Sequence, residues 1–123
     1  MLEQKKMGYM ENLVENSGYA GLETPLIPTI SSVVDVTTYG DATPTFSITP
    51  TPPGAHGAQS YKVYRCSDEQ VESCVLIQDV LPYIHVYDNK IQYNITYYYR
   101  ARSVSYTGNI SDFSEYSIGY KPN

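Results

Sequence analysis

From Pro28 onward the chain is a series of short apolar–polar alternations, each closed by a turn signal. Successive side chains of a strand point to opposite faces, so this alternation marks strands with one buried and one wet face. Residues 30–38 are rich in β-branched side chains, among them Ile30, Val33, Val34 and Val36. Residues 43–49 alternate through Phe46 and Ile48. Pro50, Pro52, Pro53, Gly54 and Gly57 then form a dense breaker that a helix or strand interior does not tolerate. Residues 60–66 place Tyr61 and Val63 on one face and Lys62 and Tyr64 on the other. Residues 74–80 and 84–87 read as two further strands. The longest, residues 97–106, has Tyr97, Tyr99, Ala101 and Ser103 on one face and Tyr98, Arg100 and Arg102 on the other. A turn at Thr107-Gly108-Asn109 leads to a last strand over 113–120. Seven short strands at this spacing predict an all-β fold, a seven-stranded antiparallel β-sandwich over residues 29–123. A chain of 123 residues supports one such domain, not two.

Residues 1–28 lack this pattern. Met7, Met10, Leu13 and Val14 have helical spacing, which allows one short amphipathic helix near 5–16. The segment reads as an N-terminal arm. An arm with no core of its own is ordered only when it docks, on its own sandwich or on a neighbouring subunit. No apolar stretch of signal-peptide length follows Lys5 and Lys6, so the chain is made without a cleaved signal or is already processed.

Charge and hydropathy exclude two classes of partner. Thirteen acidic against eight basic side chains give a net charge of −5, with no basic excess to release counterions from nucleic acid. The longest aliphatic run is Val75-Leu76-Ile77, far too short to span a membrane. Cys66 and Cys74 flank an acidic segment. A bridge between them across a hairpin end would stabilise by roughly 2–3 kcal/mol. Two separate thiols in a reducing compartment fit the same spacing. A metal site is not expected, because His56 and His85 are the only histidines to complete one.

No catalytic set emerges. A nucleophile needs a base and an orienter. His56 lies in a Gly-rich loop, and His85 lies on a short strand facing outward. Asp68, Glu69 and Glu72 read as a solvated hairpin tip, and Asp88-Asn89 as a turn at a strand crossing. The loop 54–57 lacks the lysine and helix of a phosphate cradle. The chain is therefore read as non-enzymatic, with no cofactor. The patterns Asn94-Ile95-Thr96 and Asn109-Ile110-Ser111 fit glycosylation acceptors and are read as chance.

Several stretches together resemble a fibronectin type III domain of the kind common in bacterial and phage proteins, over about residues 28–121. They are the Pro-rich turn before Tyr61-Lys62-Val63-Tyr64-Arg65, Tyr87-Asp88 ahead of residues 96–103, and Thr107-Gly108-Asn109-Ile110-Ser111 with Phe113-Ser114-Glu115 and Ile118-Gly119-Tyr120. The resemblance implies an immunoglobulin-like sandwich. It implies that Tyr97 is a tyrosine-corner residue, its hydroxyl bonded to backbone a few residues upstream. The sequence departs from the family at Ile48, where a core Trp is usual, and at Tyr93-Asn94, where Pro-Gly is frequent. The last hairpin loop holds no Arg-Gly-Asp, which removes the simplest adhesion reading.

Fold alone does not name a function. The 14 tyrosines do, in part. They cannot all be buried with paired hydroxyls, and alternation sends Tyr64, Tyr98 and Tyr106 outward beside Arg100 and Arg102. Tyr and Arg dominate protein-contact hot spots, and an exposed ring also stacks on sugars; cross-strand pairs of the same residues can equally serve the sheet alone. The expectation is a structural or interaction module of a larger assembly, with protein subunits as partners. A phage virion component, a capsid decoration or tail accessory protein, fits best. A bacterial cell-surface filament or adhesion subunit, or a carbohydrate-binding module, is the alternative. The expected location is the virion or the cell surface.

Overall fold

The computed structural model describes residues 24–52 and 58–123. Residues 1–23, which hold most of the arm and its expected helix, and His56 lie outside the described residues. Seven strands follow in order: β1 Thr29–Asp35, β2 Phe46–Thr51, β3 Ala58–Cys66, β4 Cys74–Val80, β5 Val86–Asp88, β6 Thr96–Ser105 and β7 Ser117–Tyr120. A short 3-10 turn, Val71–Ser73, precedes β4. The strands form two antiparallel sheets, ordered β1-β2-β5 and β4-β3-β6-β7. This is the seven-stranded sandwich that the alternation predicts.

The core lies between the sheets and follows the sequence pattern. Phe46, Ile48 and Val86 enter it from the first sheet, and Tyr61, Val63, Val80, Tyr99 and Ala101 from the second. Ile91, from the β5–β6 connection, closes one end. Phe46 meets Tyr99 edge-to-face, with ring centroids 6.2 Å apart at 89°. Gly119 makes room for this pair. A Cβ there would lie 2.7 Å from the Phe46 ring and 3.0 Å from Tyr99.

One polar group sits inside this apolar layer. Asp88, 1% exposed, ends β5 of the first sheet. Its Oδ1 accepts from Arg65 Nη1 of β3 at 2.9 Å, and its Oδ2 from the Tyr99 hydroxyl of β6 at 2.8 Å. The Lys90 N–H also donates to Oδ1, at 3.1 Å. Asp88 is thus a buried carboxylate joining both sheets rather than only the turn residue suggested by Asp88-Asn89. Burial, and then the nearby Asp88 charge, push the Tyr99 phenol far above its ordinary range.

Several strand bounds differ from the sequence reading: β2 starts at Phe46 rather than 43, β3 at Ala58 rather than 60, and β5 covers Val86–Asp88 rather than 84–87. Three further differences have a local cause. β1 stops at Asp35 instead of Thr38, because the Asp35 carboxylate accepts from the Thr37 N–H at 2.9 Å and turns the chain. β2 runs on through Pro50 to Thr51, beyond the proline at which the sequence predicts a break. Pro50 pairs with Ile30 of β1, while β5 reaches only as far as Ile48. The missing N–H therefore falls where the strand has one neighbour. The last strand covers Ser117–Tyr120 and not 113–120, for a reason given below.

A second link between the sheets is at the surface. Lys121 Nζ lies 2.7 Å from Asp35 Oδ2. The hydrogen bond from Lys121 leads the causes that lower the Asp35 carboxyl to about 2, and the same bond raises the Lys121 ammonium. A depressed carboxyl stabilises above its unfolded value and loses that stabilisation as pH falls through its folded value. A raised ammonium stabilises below its unfolded value and loses the effect as pH rises through the folded one.

Two predictions follow from these links. Asp88→Ala leaves a half-buried guanidinium and a buried phenol without their acceptor, and urea denaturation should show a loss of about 2–3 kcal/mol. Unchanged stability would show that the carboxylate is not needed. Lys121→Met should destabilise only slightly at neutral pH, because the pair lies at the surface and is screened by solvent. In a pH series its destabilisation should fade between about pH 4 and pH 2; a difference that persists below pH 2 would assign the effect to packing.

Candidate functional site: the outer face of the larger sheet

The residues singled out by sequence converge on the outer face of the larger sheet. Tyr64 of β3 and Tyr98, Arg100 and Arg102 of β6 all point outward, opposite buried Tyr61, Val63, Tyr99 and Ala101. Tyr64 is paired with Arg100 in the strand register. Tyr106, 66% exposed, lies just past the end of β6.

Two rings not singled out by sequence interleave with these side chains. Phe113 packs edge-on against Tyr64, with centroids 4.9 Å apart, and the Arg102 guanidinium lies 4.6 Å from the Phe113 centroid. Tyr116 packs against Tyr98 at 5.0 Å, and the Arg100 guanidinium lies 5.3 Å from the Tyr116 centroid. The chain thus builds two stacks, each of one arginine between aromatic rings and sheet. Part of the tyrosine–arginine face is occupied by the protein's own β6–β7 connection.

Serine hydroxyls hold that connection in place. The Ser111 N–H donates to the Ser103 carbonyl at 2.9 Å, and the Ser103 N–H donates back to the Ser111 hydroxyl at 2.8 Å. The same reciprocal pair joins Ser114 to Ala101, at 2.8 and 2.9 Å. Ser117 then starts the regular ladder opposite Tyr99. The connection advances three residues for every two of β6, so it cannot pair as a strand; side-chain oxygens stand where strand carbonyls would. This is why β7 begins at Ser117. Both hydroxyls are buried. The recurrence of serine at 111, 114 and 117, with Phe113 and Tyr116 also three apart, is the sequence signal that marks the arrangement.

The arginines are anchored differently. Arg100 gives Nη1 to the Ser114 carbonyl at 2.8 Å and Nη2 to the Glu69 carbonyl at 2.7 Å. Arg102 gives Nε to the Ser111 carbonyl at 2.7 Å. Glu69 also hydrogen-bonds Tyr116, and its negative charge pushes the Tyr116 phenol up.

Glu69 belongs to the β3–β4 loop, which Cys66 and Cys74 close with a disulfide. Within the loop, Asp68 accepts from the Gln70 N–H at 2.8 Å. No group of three or more metal-ligating side chains occurs among the described residues. At the far end of β6, the Tyr97 hydroxyl accepts from the Gln92 N–H at 2.9 Å, five residues upstream. His85 is exposed, precedes β5 and lies 3.4 Å from the Thr49 hydroxyl through Nδ1.

Beside the Arg102 stack runs an open groove. It is lined by residues 24–27 together with Arg102, Ile110 and Asp112.

Ser114→Ala removes the acceptor of the buried Ala101 N–H. Thermal and urea unfolding should show a loss of about 1–3 kcal/mol, with weaker amide exchange protection at Ala101. Full protection in the variant would mean that the hydroxyl does not carry the pairing.

No protein-family model matches the sequence, and a comparison with curated proteins finds no relative. Solved structures do match. An Fn3-like protein from Clostridium thermocellum shares 24% identity at a TM-score of 0.58, covering 82% of this chain and 97% of its own. The fourth FNIII domain of a human protein shares 20% at 0.63, covering 94% and 89%. The FN5 domain of Drosophila Lar shares 15% at 0.54, covering 81% and 99%. Strand order, sheet partition and these likenesses together give the chain the fibronectin type III fold.

Proposed function

We propose that this chain is a non-catalytic structural or interaction module of a larger assembly, docked on a neighbouring subunit through its N-terminal arm, residues 1–28. One observation carries the reading. Where the arm meets the sandwich, Leu26 and Ile27 are 59% and 47% exposed, beside a partly exposed Ile110. Adjacent aliphatic side chains left in water at a groove are what a protein contact covers. The fold supports the coarser part of the proposal, since a fibronectin type III sandwich suits an interaction or structural module and the sequence offers no catalytic set. Among assemblies, a phage virion component, as capsid decoration or tail accessory, is the reading we favour; a bacterial surface filament subunit shares the same design. A carbohydrate-binding module is the second reading, and the exposed rings of Tyr83, Tyr87 and Tyr106 favour it.

Light scattering on the full chain and on a chain lacking residues 1–23 separates the two. The assembly reading expects concentration-dependent oligomers of the full chain and a folded monomer after truncation. Monomers in both, together with retention on a glycan array, would replace it with the carbohydrate reading.

A further inference from the structure

Arg102 makes no ion pair among the described residues. The ion pairs among the described residues use Lys62, Arg65 and Lys121. Arg102 spends only Nε, on the Ser111 carbonyl. Its Nη1 and Nη2 make no hydrogen bond among the described residues, whereas both Nη atoms of neighbouring Arg100 are committed to carbonyls. The guanidinium plane is nevertheless fixed, by the Ser111 bond and by Phe113, which Tyr64 braces in turn. A locked planar fork with its donor edge unused is prepared for a carboxylate, which it can bind through two parallel hydrogen bonds.

The groove around it narrows the choice of partner. Leu26, Ile27 and Ile110 supply apolar wall, and Asp112 supplies one negative charge. The complementary segment holds carboxylates among aliphatic side chains, with a cation nearby for Asp112. The arm has this composition: Lys5 and Lys6, then Met10-Glu11-Asn12-Leu13-Val14-Glu15. We propose that the groove at Arg102 receives residues 5–15 of a second copy of this chain, with Glu11 or Glu15 on the Arg102 fork. The inference rests on the arm being the docking element and names the surface it engages. Each copy carries both halves of the contact, so the pairing is either reciprocal within a dimer or propagates from copy to copy.

The test is self-association of the full chain, measured by light scattering over a dilution series. Arg102→Met keeps a side chain over Phe113 and removes the charge. Glu11→Gln with Glu15→Gln removes the carboxylates and leaves every side chain of the sandwich in place, so it decides the matter should Arg102→Met fail to fold. Each change should weaken association about tenfold or more. Arg102→Glu combined with Glu11→Lys and Glu15→Lys should restore it. Association that needs residues 1–23 yet is indifferent to both changes would leave the arm as docking element and overturn the groove as its receptor. A full chain that stays monomeric at every concentration would overturn both.

Discussion

The two sheets close on a single buried carboxylate. Asp88 belongs to a strand of only three residues, the shortest among the described residues. Apolar packing around it is non-directional and would tolerate some sliding of one sheet over the other. The hydrogen bonds from Arg65 and Tyr99 are directional and come from two different strands of the opposite sheet. They fix the position of β5 relative to β3 and β6, and through β5 that of β2, which pairs with it from Phe46 to Ile48. The Phe46–Tyr99 contact and the space over Gly119 follow from that placement. Buried ion pairs contribute little net stability over apolar replacements, because desolvation offsets most of their attraction. The energetic weight of this one lies in what its loss leaves behind.

Much of the architecture was legible in the order of side chains. Alternation, β-branched content and turn signals together pointed to seven strands, and alternation sorted Tyr61, Val63, Tyr99 and Ala101 inward. The strand ends were less legible, because they depend on partners rather than on propensity. Pro50 is tolerated only because β5 is too short to reach it. Asp35 ends β1 through a side-chain bond that composition does not announce. The buried ionic link was in principle readable. Arg65 shares a face with Tyr61 and Val63, and Asp88 shares one with Val86. An inward arginine and an inward aspartate in one small core have reason to find each other.

The outer face was legible in its members and not in its use. Alternation places Tyr64, Tyr98, Arg100 and Arg102 together on one side of the larger sheet, and the structure does so. What alternation cannot show is that a segment without strand periodicity returns across that face and lays Phe113 and Tyr116 between them. This divides two arginines that look equivalent in sequence. Arg100 is an internal brace, tied to both neighbouring loops. Arg102 is held at one nitrogen and faces a groove with the rest.

The serine pairing imposes a counting rule on the β6–β7 connection. Each step of three residues, from Ser111 to Ser114 to Ser117, matches a step of two along β6, from Ser103 to Ala101 to Tyr99. Inserting or deleting one or two residues between Ser111 and Ser117 would bring a different side chain opposite each buried amide and rotate an aromatic ring off its arginine. A change of three would preserve the phase. The same pairing reaches into the exposed turn at 106–110, where Gly108 takes a positive φ of 91° and the Asn109 N–H donates to the Ser105 hydroxyl at 3.0 Å, so a change of length there must also keep Asn109 opposite Ser105.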